Sequence, residues 1–119
     1  MSGSSLYEQV GGDDAVEATV RNLHVRLQRD PQLQHFFDPD RTEELIGRQH
    51  AYFADMLGGP RSDVAPDLAA AHEGVAIDDH HVALVVGHLR EALLGADVDP
   101  VVAERVVAVA ARIWYASNW

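Results

Sequence analysis

The chain has 119 residues, 47% hydrophobic and 24% charged, with 19 acids against 9 cations and a net charge of −10. That balance predicts one globular domain over residues 1–119, with residues 1–4 unordered at its start. Without cysteine there are no disulfides or thiolate metal sites, and without a basic cluster neither nucleic acid nor an anionic membrane surface is an expected partner.

The opening MSGSSLYEQVGG lacks both a basic and an apolar leader region, so no signal peptide is read and a cytoplasmic location is expected. No apolar run reaches the roughly 18 residues that a membrane span needs. LYEQVGG predicts a short helical turn stopped by Gly11 and Gly12. Asp13 or Asp14 then caps a second helix running to about Arg29. Pro31 opens a tight turn and Pro39 closes it, with Phe36 and Phe37 between them turned inward. Residues 41–57 predict the next helix, capped by Thr42, with Leu45, Gln49, Phe53 and Met56 as its inward stripe and Ile46 and Tyr52 as flanks. GGPRSDVAPD, residues 58–67, is a breaker-rich loop. DLAAAHEG predicts a helix of barely two turns. Asp78 or Asp79 opens a longer one, with Val82, Val85, Val86, Leu89 and Leu93 inward. Pro100 stands in the first turn of the last helix. VALVV is apolar enough for a strand but lies inside a helical pattern, so the fold class is all-α.

Three polar residues interrupt apolar faces. His24 falls on the stripe of Val16, Val20, Leu23 and Leu27, and Gln49 sits between Leu45 and Phe53. A buried amide or imidazole left unpaired costs about 1–3 kcal/mol, so each needs a partner. His72 stands beside the shallow alanine face of AAAHEGV. Taken by itself it reads as a histidine favoured at a helix C-terminus, with a flat ligand over the alanines as the alternative. Together the three suggest an apolar pocket with convergent polar groups. Other chemistries lack support: the glycine pairs match neither a phosphate loop nor a dinucleotide fingerprint, and no G-x-S-x-G occurs. DDHH at 78–81 reads as a solvated helix start rather than a metal site, because adjacent residues diverge on a helix.

The stretches SLYEQVGG (5–12), DPQLQHFF (30–37), LIGRQHAYF (45–53), MLGGP (56–60), AHEGVAI (71–77) and HHVALVVGHL (80–89) follow one another as in the truncated haemoglobins of group I, which the chain resembles over nearly its whole length. The resemblance implies a two-over-two helical sandwich around haem b, with His72 the proximal iron ligand. It places Phe37 on the haem face with Phe36 behind it, and Leu45, Gln49 and Phe53 along the distal wall. Val82 stands where a haem-contacting phenylalanine is common in the family. Arg48 is rotated outward, to pair with a haem propionate or to stand as a surface arginine.

The chief departure is Leu23–His24, where relatives carry an aromatic followed by tyrosine. Three roles follow for His24: donating to bound dioxygen with Gln49, binding iron as a second axial ligand, or bonding only Gln49. The first is preferred, and His24 and Gln49 are the distal candidates for any catalysis. The last helix has no histidine, so the covalent haem linkage of some relatives is not expected. The implied function is reversible binding of dioxygen, nitric oxide or carbon monoxide. Nitric oxide dioxygenation with a separate reductase, peroxidase-like chemistry and a haem-free interaction module are the alternatives.

Overall fold

The computed structural model describes residues 5–59 and 79–116, and among them every regular element is helical. Helix α1 spans Leu6–Val10 and begins at Ser5, whose Oγ accepts the Glu8 N–H at 3.2 Å. It ends at Gly11, whose φ of 121° a side chain would resist.

Helix α2, Asp13–Arg29, starts from Gly12 with no side-chain cap. Asp13 and Asp14, the expected caps, lie instead inside its first turn, where their charges suit the positive helix end. Asp13 also accepts the Tyr7 hydroxyl at 3.2 Å and His50 Nε2 at 2.8 Å, which ties α1 and the next long helix to α2. Val16, Thr19, Val20, Leu23, His24 and Leu27 form the buried face of α2.

Two short 3-10 turns follow, Gln34–Phe36 and Pro39–Arg41. Leu33, 1% exposed, anchors this connection, while Phe36 and Phe37 are only half-buried. Helix α3 spans Thr42–Met56. Thr42 does not cap it: its hydroxyl donates to the Pro39 carbonyl at 2.9 Å and accepts from Gln28 Nε2 at 3.1 Å. The inward line of α3 is also rotated from the expected one. Ile46, Phe53 and Ala54 are buried, and Leu57 beyond them, whereas Leu45, Gln49 and Met56 are half-buried. The apolar period of α3 holds, but the helix turns Ile46 to the core and leaves Leu45 and Gln49 beside it.

Helices α4, Asp79–Gly95, and α5, Pro100–Ala116, complete the described chain. Asp79 is the first residue of α4; Val82, Leu89 and Leu93 are buried, while Val85 and Val86 are half-buried. Helix α2 packs on α3 and on α4, and α4 packs on α5, giving the two layers of a two-over-two sandwich; α1 lies against α2 and α5. No described helix is long and apolar enough to cross a membrane.

One device recurs at the corners. Asp30, Asp38 and Asp99 each precede a proline, and each Oδ1 accepts the N–H two residues on, from Gln32, Asp40 and Val101, at 2.9 Å. Proline supplies a fixed φ and no donor, so the next N–H meets the carboxylate.

Candidate functional site

His24 is fully buried, at 0% exposure, yet neither of its ring nitrogens has a hydrogen-bond partner. Its ring is held by packing: Phe37 meets it edge-on, with centroids 5.4 Å apart and planes at 78°. Burial pushes the imidazole below its ordinary value, against the opposing pull of the Gln49 side chain and the Glu43 carboxylate. Gln49 approaches from α3, but no hydrogen bond of proper geometry joins the pair, and its buried Oε1 is also unpartnered. The structure therefore brings together His24, Phe37 and Gln49 from α2, the connection and α3. Three buried polar atoms without partners are expensive, which makes this cluster the candidate site.

The remaining predicted residues lie around this centre or away from it. Leu45, one turn before Gln49, is half-buried. Val82 is 2% exposed and belongs to the core. Phe36 turns from His24 to histidines, lying tilted on His35 at 4.0 Å and edge-on to His81 at 5.3 Å. Phe53, 4% exposed, meets Tyr52 and Trp114 edge-on and helps line an apolar void of about 10 Å³ with Val16, Val20 and Leu93. That volume is roughly one water's worth of space, too small for a larger ligand. Arg48 is half-exposed and pairs with Glu44 at 3.2 Å, an exposed contact weak enough to be exchanged for another anion. His72 and the two-turn helix predicted around it lie outside the described residues.

Sequence reasoning missed the polar ties around the site. His88 Nε2 meets Asp30 Oδ2 at 2.8 Å, and His80 Nε2 meets Gln32 Oε1 at 2.7 Å, so α4 grips the turn that carries Phe37. Trp114 Nε1 donates to the Tyr52 hydroxyl at 3.0 Å, joining α5 to α3. Histidine after histidine on an acidic chain was the available signal, but partners 58 and 48 positions away carry no local pattern. Among the described residues no three histidine, aspartate or glutamate side chains converge as a metal site.

The side chains of this centre fit a flat iron porphyrin. Aromatic and aliphatic groups (Phe37, Leu45) offer apolar contact, and the unpartnered atoms of His24 and Gln49 leave polar groups to face it.

The profile of the bacterial-like globins matches residues 5–116. The group 1 truncated haemoglobin GlbN of Mycolicibacterium paratuberculosis is 40% identical over 95 residues, which is 80% of this chain and 70% of that protein. Truncated haemoglobin of Tetrahymena pyriformis, solved as a tyrosine-to-phenylalanine variant in its Fe(III) form, superposes with a TM-score of 0.87 at 22% identity, covering 94% of this chain and 96% of its own. The 2/2 haemoglobin of a Synechococcus species, solved with covalently attached haem, superposes at 0.80 with 23% identity and covers 90% of each chain. At these identities the two superpositions establish the shared fold.

Proposed function

We propose a haem-borne function from one premise: the chain belongs to the bacterial-like globin family. The family implies a haem cofactor and diatomic gas ligands such as dioxygen. For this chain the group is haem b, and His72 is its proximal iron ligand. Held there, haem would supply an iron atom able to take up a diatomic gas. Phe37 and Leu45 exclude water from that side, with Phe36, Phe53 and Val82 in the packing around the core. Arg48 exchanges Glu44 for a haem propionate. His24 and Gln49 are the distal pair, and His24 donates its N–H to bound dioxygen in place of the tyrosine of relatives. Nitric oxide and carbon monoxide are further ligands, any electrons come from a separate reductase, and the protein works in the cytoplasm.

The observation that carries this reading is a buried imidazole with neither nitrogen partnered, beside an unpartnered glutamine oxygen. A haem-free interaction module would have no use for that cost. The lost tyrosine also weakens nitric oxide dioxygenation relative to plain gas binding. Absorption spectra of the ferric, ferrous and carbonyl states test it. A Soret band that shifts on reduction and again with carbon monoxide is expected, with His72→Ala losing the haem; a colourless protein even after added haem overturns the reading.

A further inference from the structure

Asp13 gathers polar groups from two other helices. Its Oδ1 lies 2.8 Å from His50 Nε2 of α3 and 3.2 Å from the Tyr7 hydroxyl of α1. Asp14, beside it in the first turn of α2, adds a second carboxylate whose charge reaches Tyr7. The group opens to solvent, with the Asp13 side chain 60% and the His50 side chain 27% exposed. An imidazole nitrogen, a carboxylate and a phenol are each ligands of transition metals.

The separations suit an ion. Ligand atoms at right angles around a metal with bonds of about 2.1 Å stand about 3 Å apart, whereas tetrahedral ones stand about 3.4 Å apart. Both contacts at Asp13 are closer to the first spacing. Nitrogen and oxygen together at right angles are the preference of Cu(II) and Ni(II), whereas Ca(II) and Mg(II) take oxygen alone. The positive end of α2 opposes a cation, but Asp13 and Asp14 sit on that end, and the chain carries a net charge of −10. Burial, then the Asp13 hydrogen bond and the Asp13 and Asp14 charges, hold the Tyr7 phenol above its ordinary 10. A cation at Asp13 reverses the influence of that carboxylate and draws the phenol proton off.

We propose that Tyr7, Asp13 and His50 form a binding site for one divalent transition-metal ion of the Cu(II) or Ni(II) kind, which fastens α1 and α3 to the start of α2. His50 Nε2 gives its lone pair, with the ring proton on Nδ1. Asp13 binds through Oδ1. Tyr7 enters as a phenolate and releases one proton to solvent, and water fills the remaining positions. The site needs no haem, so its failure leaves the haem reading standing.

The test is isothermal titration of the full chain with Ni(II), at about pH 8, above the ordinary range of imidazole. Two buffers of different ionisation enthalpy give the protons released as well as the affinity. One ion bound at micromolar concentration, with about one proton released, is expected of the parent. His50→Gln keeps an amide N–H for Asp13, so it preserves the tie between helices while removing the metal donor. It should weaken Ni(II) by at least about tenfold, and Asp13→Asn likewise. Tyr7→Phe should bind more weakly and release no proton. Ni(II) should also raise the melting temperature of the parent and leave that of His50→Gln unmoved. Equal affinity in parent and His50→Gln overturns the proposal, because the ion would then sit on other histidines. A parent that binds no Ni(II) overturns it too, as does Ca(II) bound as tightly as Ni(II), since the acids alone would then suffice.

Discussion

The His24 ring is buried with neither nitrogen bonded to another group of the chain, and a buried polar atom left unpaired costs about 1–3 kcal/mol. His24→Leu should therefore raise the stability of the haem-free protein by about 1–3 kcal/mol in urea denaturation. The acid response follows the same residue. Its folded pKa lies below the ordinary 6.5 because burial penalises the charged ring, so the folded state favours the neutral form. Its contribution is complete above pH 6.5 and is lost as the pH falls through the depressed folded value. His24→Leu should thus flatten the dependence of stability on pH just below neutrality; an unchanged slope would show that the ring titrates elsewhere. His24 was legible in the sequence because Val16, Val20, Leu23 and Leu27 define a stripe that admits no imidazole. Which of Phe36 and Phe37 faces it was not legible from local pattern, since adjacent residues in a short turn differ only in a rotation fixed by Leu33 and the helices below.

The helices stand close to where glycine, proline and apolar periodicity place them, as with α2 ending at Arg29 and α5 opening on Pro100. Caps were less legible. Asp13 and Thr42 have the right chemistry for an N-cap, but each is engaged by a residue the local sequence does not show, His50 for Asp13 and Gln28 for Thr42. The rotation of α3 that buries Ile46 ahead of Leu45 likewise depends on what α2 presents to it. Between elements, the His88–Asp30 contact joins α4 to the end of α2. The Asp30 carboxyl sits below its ordinary 3.8, chiefly through His88 and then through the Gln32 N–H. A depressed carboxyl adds stability above its ordinary value and loses it as the pH falls through the folded one. In His88→Gln the melting temperature should be lower at neutral pH and should fall less steeply below about pH 4. Parallel curves for parent and variant would mean that the contact holds nothing together.

Over the whole molecule, 19 acids face 9 arginines. The arginine pairs described, such as Arg21–Glu43, Arg41–Glu44 and Arg90–Glu104, are exposed and individually weak. Net repulsion outweighs them, so salt should stabilise. Raising ionic strength from about 0.01 M to 0.15 M shortens the screening length from about 30 Å to 8 Å and should raise the melting temperature, whereas a fall would mean that the ion pairs dominate. Periodicity yields an all-helical chain, but the pairing of α2 with α3 and of α4 with α5 is not written in any one helix. It was the order of short motifs across the chain, rather than any single pattern, that implied the sandwich. The three Asp–Pro corners bear on how such a chain comes together. Each lock is closed by atoms two residues apart, so it needs neither a distant helix nor a cofactor to form. Corners made this way reduce the entropy still to be lost when the helices meet. Direction is therefore set before cohesion, and a sequence could exchange every pocket residue while keeping the itinerary of its chain.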